Sequence, residues 1–340
     1  MAAQRSEKGG VRMKHRIITH AGCLDGFCSA FVFKKYIAPT LKIPEDIEIV
    51  PVMPKEIELE EVEIQKGDII LDLPRPKKEV FFWCDHHITN KPEEEKKNHH
   101  WKLAPSCTGV LIELAVSRGV KENEELKNFK QCMDIIDGAM YDKKQYKECY
   151  YPAKDKLTAL QQFHALSSSF QTKDPNLNDE IYRRLLSNNL ERSPITSSWF
   201  KSEFIRFFYD ARLRSYQEWR DQVDTYVYYD EKSKCVVQDD RKIRFRKGLV
   251  DRFYVHYKFP ETSYSISLRP ELESDQVRMS IGCNIFHKER CKIHIGNLCR
   301  EVGKKFGEGS GGGHLQVGGC TVLAGKADDA MRFILEKMKD

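Results

Sequence analysis

Four short apolar runs fall within the first ninety residues, and each is followed by a polar cluster. Arg16-Ile17-Ile18-Thr19, Ile47 to Val52, Asp68-Ile69-Ile70-Leu71 and Val80-Phe81-Phe82-Trp83 are too short for helices and rich in β-branched and aromatic side chains, so they read as strands. Gly26 to Tyr36, Cys107 to Val116 and Leu126 to Ile136 read instead as helices. Strands alternating with helices predict an α/β layer with a mostly parallel sheet flanked by helices. In such sheets the chemistry gathers just beyond the carboxyl ends of the strands.

Further along, the pattern changes twice. From Leu157 to Val223 it is helical, with segments at Leu157 to Ser167 and Asn178 to Leu190 and a long helix after Ser193-Pro194 that runs towards Asp221. That helix carries Trp199, Phe204, Phe208 and Trp219, a stripe expected to be core or docking surface rather than a base-stacking platform. Beyond Tyr226 strands return at Cys235-Val236-Val237, Tyr264 to Leu268 and Val277 to Ile281, followed by a glycine-rich stretch and a closing helix from about Asp328. A length of 340 residues suits two or three domains. The expected division is a disordered tail at 1–14, a first domain at 15–192 with a helical extension, a connecting helix at 193–225 and a smaller α/β domain at 226–340.

Composition removes several classes. No run of about 18 apolar residues exists to cross a membrane. The 11 cysteines include no Cys-x-x-Cys pair, which argues against a disulfide framework and a structural zinc site and for a reducing, cytoplasmic setting. Cys28, Cys132 and Cys299 sit in helical patterns as small buried hydrophobes. A net charge of +5 permits a polyanionic partner without requiring one. Arg241 to Lys247, read as a strand, sets Lys242, Arg244 and Arg246 on one face, either a solvated face or a rail for phosphates. Walker loops, Rossmann fingerprints and a Ser–His–Asp order are absent from the sequence.

The strand ends carry His20-Ala21-Gly22-Cys23-Leu24-Asp25-Gly26, then Asp72, then Asp85-His86-His87, while a helix end carries Asp134-Ile135-Ile136-Asp137. A lone Asp at a strand end is ordinarily a cap, and a lone His an ordinary polar group. Together they supply the imidazoles and carboxylates that two divalent cations about 3.5–4 Å apart need. His99-His100, beside a charged loop, and His164, His287 and His294 read as ordinary residues.

Asp85-His86-His87 after an apolar strand resembles the signature of the DHH phosphoesterases. His20 to Gly26 resembles their first motif, Asp72 their second, and Gly311-Gly312-Gly313-His314 the glycine-rich signature of the DHHA1 domain that commonly follows. The resemblance covers roughly 15–140 and 226–340 and leaves the helical middle unmatched; that middle either braces the lobes or builds a homodimer. It implies that His20, Asp25, Asp72 and His86 hold two divalent ions, with Asp72 bridging them. It also implies Asp137, or its rival Asp134, as the last ligand. His87 is expected to face the substrate phosphate and Asp85 to orient its neighbours. Arg269 resembles a phosphate- or base-contacting arginine, with Arg278 a weaker candidate, and Gly311, Gly312, Gly313 and His314 are expected to receive an anion. Where Cys23 stands the family usually has a carboxylate. Manganese is the implied metal, but a thiolate would favour zinc or iron over manganese or magnesium. The activity implied is metal-dependent hydrolysis of phosphodiester bonds in short oligonucleotides or linear or cyclic dinucleotides. The alternatives are a polyphosphate or pyrophosphate hydrolase and, in another class, an inactive nucleotide- or nucleic-acid-binding protein.

Overall fold

Strands form where the apolar runs predict them, because β-branched and aromatic side chains suit a pleated, buried surface. The computed structural model describes residues 14–44, 47–94, 96–152, 156–169, 203–243, 250–271 and 274–339. Their contacts define two compact units, one holding the chain up to Gly138 and the other Ala139–Ser168 with the chain from 203 onward. The helix expected at Asn178 to Leu190, the start at Ser193-Pro194, Trp199, Arg244 to Lys247 and the tail before Lys14 lie outside the described residues.

The first unit runs β1 (Arg16–His20), α1 (Leu24–Val32), β2 (Glu48–Val52), α2 (Pro54–Glu58), β3 (Ile69–Leu71), β4 (Phe82–Asp85), β5 (His99–Trp101), α3 (Cys107–Ser117) and α4 (Glu124–Asp137). The sheet order is β2-β1-β3-β4-β5, and every pairing is parallel. Ile17, Ile18, Ile69, Ile70, Leu71, Phe82 and Trp83 are wholly buried, as in a sheet covered on both faces. All nine residues of α1 are buried too, so its start is locked against the strands. Two expectations need correction. β4 runs through Asp85 rather than ending at Trp83, and His99–Trp101 is a strand on the sheet's edge rather than part of the charged loop. Three residues, two of them histidines, carry no strand signal; parallel pairing with β4 makes the strand.

The second unit contains α5 (Lys143–Tyr150), α6 (Ala159–Ser169), α7 (Glu203–Val223), β6 (Val227–Asp230), β7 (Cys235–Asp239), α8 (Tyr254–Lys258), β8 (Tyr264–Pro270), β9 (Gln276–Cys283), α9 (Ile295–Phe306), β10 (Gly311–Gly313), β11 (Val317–Leu323) and α10 (Ala327–Lys337). Its mixed sheet has the order β10-β11-β9-β8-β7-β6, with only β7 and β8 parallel. Ile266, Leu268, Met279, Ile281 and Val322 from the strands share a core with Leu298, Cys299 and Val302 of α9 and Ala330 and Ile334 of α10. Asp251 accepts from Arg220 of α7 and from the Tyr146 hydroxyl of α5, so a buried charge is paired and hydrogen-bonded. Trp219 is core, in a cluster with Val223 and Ile243. Cys28, Cys132 and Cys299 are buried in helices.

Three further details differ from the sequence reading. Arg241 and Lys242 lie in a short 3-10 turn rather than a strand, and Arg241 is paired with Asp239 and Asp328. Glycines 311–313 are not a loop but an edge strand. A Cβ on Gly311 would come within 2.3 Å of the Cys299 carbonyl, so the glycine is needed for close approach to α9. Cys283 and Cys291 form one disulfide, brought together where the chain leaves β9, while the other nine cysteines are free thiols. Among the described residues no helix is long and apolar enough to cross a membrane.

Candidate metal centre

Three neighbouring parallel strands deliver the polar groups to one end of the first sheet. β1 ends at His20, whose Nδ1 lies 3.1 Å from Asp72 Oδ2, just past β3. Asp72 adopts φ +55°, a left-handed conformation that Asp tolerates better than most side chains. Its amide donates to Cys84 O of β4 at 3.0 Å, which ties the strained residue to the neighbouring strand. β4 ends at Asp85, and His86 and His87 follow.

His86, Asp25 and Asp85 are each held by a partner outside the group. His86 Nδ1 lies 2.9 Å from the Ala104 carbonyl, which directs Nε2 inward. Nε2 is 3.4 Å from Asp72 Oδ1, 3.5 Å from Asp137 Oδ2 and 3.7 Å from Asp25 Oδ2. Asp25, in the first turn of α1, accepts from the backbone N–H groups of Cys107 at 2.7 Å and Thr108 at 3.0 Å. Its anion thus rests on the amino end of α3. Asp85 Oδ1 accepts from the His86 amide at 2.8 Å and lies 2.9 Å from His87 Nδ1, while its Oδ2 accepts from Asn90 at 2.6 Å. Asp134 is turned elsewhere: it accepts from Ser106 Oγ at 2.6 Å and from Lys130 at 2.7 Å.

Three ligand groups result, each with its donor atoms within 4.8 Å of one another: Asp72, Asp85, His86 and His87; His20, Cys23 and Asp72; and Asp25, His86 and Asp137. Asp72 belongs to two of them, with Oδ2 towards His20 and Oδ1 towards His86. Asp72 Oδ1 and His86 Nε2 are buried and have no hydrogen-bond partner. A buried carboxylate oxygen and imidazole nitrogen that face each other at 3.4 Å without a hydrogen bond are poorly satisfied in a protein interior, and both are atoms that can ligate a divalent cation.

The electrostatics point the same way. Burial, then the charge of Asp72, raises Asp25 to a pKa of about 6 despite the opposing His86. Loss of solvent among the clustered acids, then the charges of Asp25 and Asp72, push Asp137 well above the ordinary carboxylate range, although the residue as a whole is exposed. Burial opposes charge on His86, but its contact with Asp72 and the nearby carboxylates outweigh it and lift its pKa to about 11. Burial and the charges of Asp72, Asp137 and Asp25 push the Cys23 thiol well up. Burial also opposes Asp72, yet His20 and His86 hold it below the usual carboxylate range. Protons thus sit where the surrounding carboxylates call for positive charge, and a dication would replace them.

The residues singled out in the sequence therefore separate. His20, Cys23, Asp25, Asp72, Asp85, His86, His87 and Asp137 converge; Asp134 faces Ser106 and Lys130. Arg269, Arg278 and Gly311 to His314 belong to the second unit. There Arg269, next to last in β8 and half-exposed, lies 3.1 Å from the buried Asp240 carboxylate and directly across from Arg278 of β9. Gly312 is level with Gly319, Ser280 and Ser267 across four strands. Sequence reading placed the helix start at Cys107 but did not find Asn90, Ala104, the Ser106 cap or the grip of the Cys107 and Thr108 amides on Asp25. The Ser106 cap before a helical pattern was visible in principle, but nothing local said that its helix points at Asp25.

No family model matches the sequence, and no curated protein matches it. Solved structures do. The pGpG-specific phosphodiesterase PggH of Vibrio cholerae is similar with a TM-score of 0.70 at 19% identity, covering 96% of this chain and 99% of that one. The DHH domain of a protein assigned to a family of ribosomal proteins gives 0.54 at 12% identity over 96% and 87%. Exonuclease RecJ bound to manganese gives 0.56 at 10% identity over 96% and 90%. The fold is that of the DHH-domain proteins, an α/β layout with a parallel sheet and a second mixed sheet.

Proposed function

We propose that this chain is a two-metal phosphodiesterase that hydrolyses dinucleotides or short oligonucleotides. The observation that carries the reading is the pair of buried, unpartnered atoms, Asp72 Oδ1 and His86 Nε2, set among His20, Asp25 and Asp137. The likeness to PggH over nearly the whole of both chains supports the substrate class, and RecJ, solved with manganese, supports the metal.

In this reading His20, Asp25, Asp72, His86 and Asp137 would hold two divalent cations, manganese first among them. When bound, such ions supply charge neutralisation at a phosphoryl group and a water of lowered pKa. The chain's own groups do the rest. Asp85 fixes the ring of His87 through Nδ1. We assign the other ring nitrogen of His87 to the substrate, where it gives a proton to the leaving oxygen as the P–O bond breaks and water is added across it. Burial disfavours a charged His87, but the bond to Asp85 and the charge of Asp72 win and raise its pKa, which suits a proton donor near neutral pH. Asp25 cannot swing away, because two backbone N–H groups grip it.

The test is a substrate panel with manganese: a linear dinucleotide such as pGpG, a 5′-labelled series of short RNAs, a long RNA, cyclic dinucleotides and long polyphosphate. Mononucleotides released from the dinucleotide and short RNAs are expected. Phosphate released only from polyphosphate, or nucleotide binding without turnover under any divalent metal, would overturn the reading. Asp72→Ala should abolish turnover, and substantial residual hydrolysis would show the site to lie elsewhere.

A further inference from the structure

His20, Cys23 and Asp72 form a ligand group of their own, distinct from the one made by Asp25, His86 and Asp137. Cys23 stands at the boundary before α1, with an extended backbone at φ −125° and ψ 131°, one residue ahead of the wholly buried helix. It is half-buried, unlike Cys28 in the same helix, which is packed away from solvent. The Cys23 sulfur, an imidazole nitrogen and a carboxylate oxygen within 4.8 Å of one another form a mixed donor set. The nine-tenths-buried Asp72 serves this set through Oδ2 and leaves Oδ1 unpartnered towards the other.

We propose that Cys23 binds one of the two cations as a thiolate, so that the centre has two chemically unequal positions. This rests on the two-metal reading above. One position offers nitrogen, oxygen and sulfur; the other offers only nitrogen and oxygen. Thiolate is a soft ligand that favours zinc, iron(II) or cobalt(II), whereas carboxylates and imidazole accept manganese readily. The position beside Cys23 therefore selects a softer ion and the position beside Asp25 and Asp137 a harder one. The consequence is a mixed-metal centre, with the softer ion retained through purification and the harder one exchanging.

Cobalt(II) titration of the metal-free full chain tests the proposal, because thiolate coordination to cobalt gives a near-ultraviolet charge-transfer band that nitrogen and oxygen ligands do not. Two cobalt ions per chain are expected, counted by equilibrium dialysis, with the band saturating at one. Cys23→Ser should lose the band while keeping the ion at the nitrogen–oxygen position. Cys23→Asp should keep both ions and lower the ratio of zinc to manganese affinity by about 10-fold or more. Circular dichroism of both variants checks folding, and the aspartate variant carries the test if the serine variant misfolds. Two ions bound without the band, or a band unchanged in Cys23→Ser, would overturn the proposal and leave the two-metal reading standing. A chain that binds no cobalt overturns that reading, and this proposal with it.

Discussion

Asp85 belongs to the ligand group of Asp72, His86 and His87 but to neither of the other two, and it fixes its neighbours from behind. One oxygen takes the His86 amide and the His87 ring, and the other takes Asn90. Its charge fixes the tautomer and tilt of His87 in the way carboxylates behind catalytic imidazoles do. Asp85→Asn keeps the shape and removes the charge. The variant should bind two ions as before and lose about 10- to 100-fold in kcat, with the basic limb of its pH–rate profile, where the proton donor is lost, moved to lower pH. Unchanged kcat, measured on a dinucleotide, would remove Asp85 from the proton path. Asp72 shows another residue-scale feature: its left-handed φ is an observed strain at a buried acid, the kind of cost a fold carries where geometry matters for function.

At the scale of elements, the site depends on how two helices begin. A Cβ on Gly26 would lie 2.4 Å from the His20 carbonyl and 2.8 Å from the His20 Cβ, so α1 can start this close to β1 only with glycine there. Gly26→Ala should cost about 1–3 kcal/mol in urea unfolding and weaken metal binding, because Asp25 and His20 part together. The second start is that of α3. Ser106 accepts from the Gly109 amide at 3.0 Å and caps the helix whose next two amides grip Asp25. Ser106→Ala should cost about 1 kcal/mol of stability and loosen metal binding, read by calorimetry. A loss of stability with metal affinity intact would confine Ser106 to capping. The motifs His20 to Gly26, Asp72 and Asp85 to His87 were legible because each closes an apolar run that becomes a strand. The grip of α3 on Asp25 was not, since it joins residues 82 and 83 positions apart. For the same reason β5 escaped notice, as only its partner strand makes His99–Trp101 extended.

For the molecule as a whole, buried histidines outside the centre set the response to acid. His256 is 2% exposed, and burial lowers its pKa to about 3. His164, donating to or accepting from the Tyr141 hydroxyl at 2.7 Å, is likewise pushed well down, first by burial and then by Arg212 and Arg252. Above about pH 6.5, the ordinary histidine value, both states of the chain hold these rings neutral. As pH falls towards about 3, the unfolded chain takes up the proton that the folded His256 ring refuses, so stability drops by about 1.4 kcal/mol per pH unit for that group. His256→Gln should flatten the loss of stability in that window by one proton's worth, measured by urea unfolding at a series of pH values. An unchanged slope would mean that the ring is not neutral in the fold. The architecture as a whole was readable because alternating strands and helices admit few arrangements, but the grouping of 139–168 with the later chain was not. Tyr146 and Tyr150 of α5 look like any amphipathic helix until Asp251 and Tyr216 are set against them.

The donors of the centre are spread from His20 to Asp137, the last residue of α4. A ribosome releasing this chain thus delivers four of the five nitrogen–oxygen donors well before the fifth emerges. Until residue 137 is out, the growing polypeptide offers an incomplete, acid-rich nest that can hold a cation only loosely. On the two-metal proposal, the full donor set exists only once residue 137 has been made.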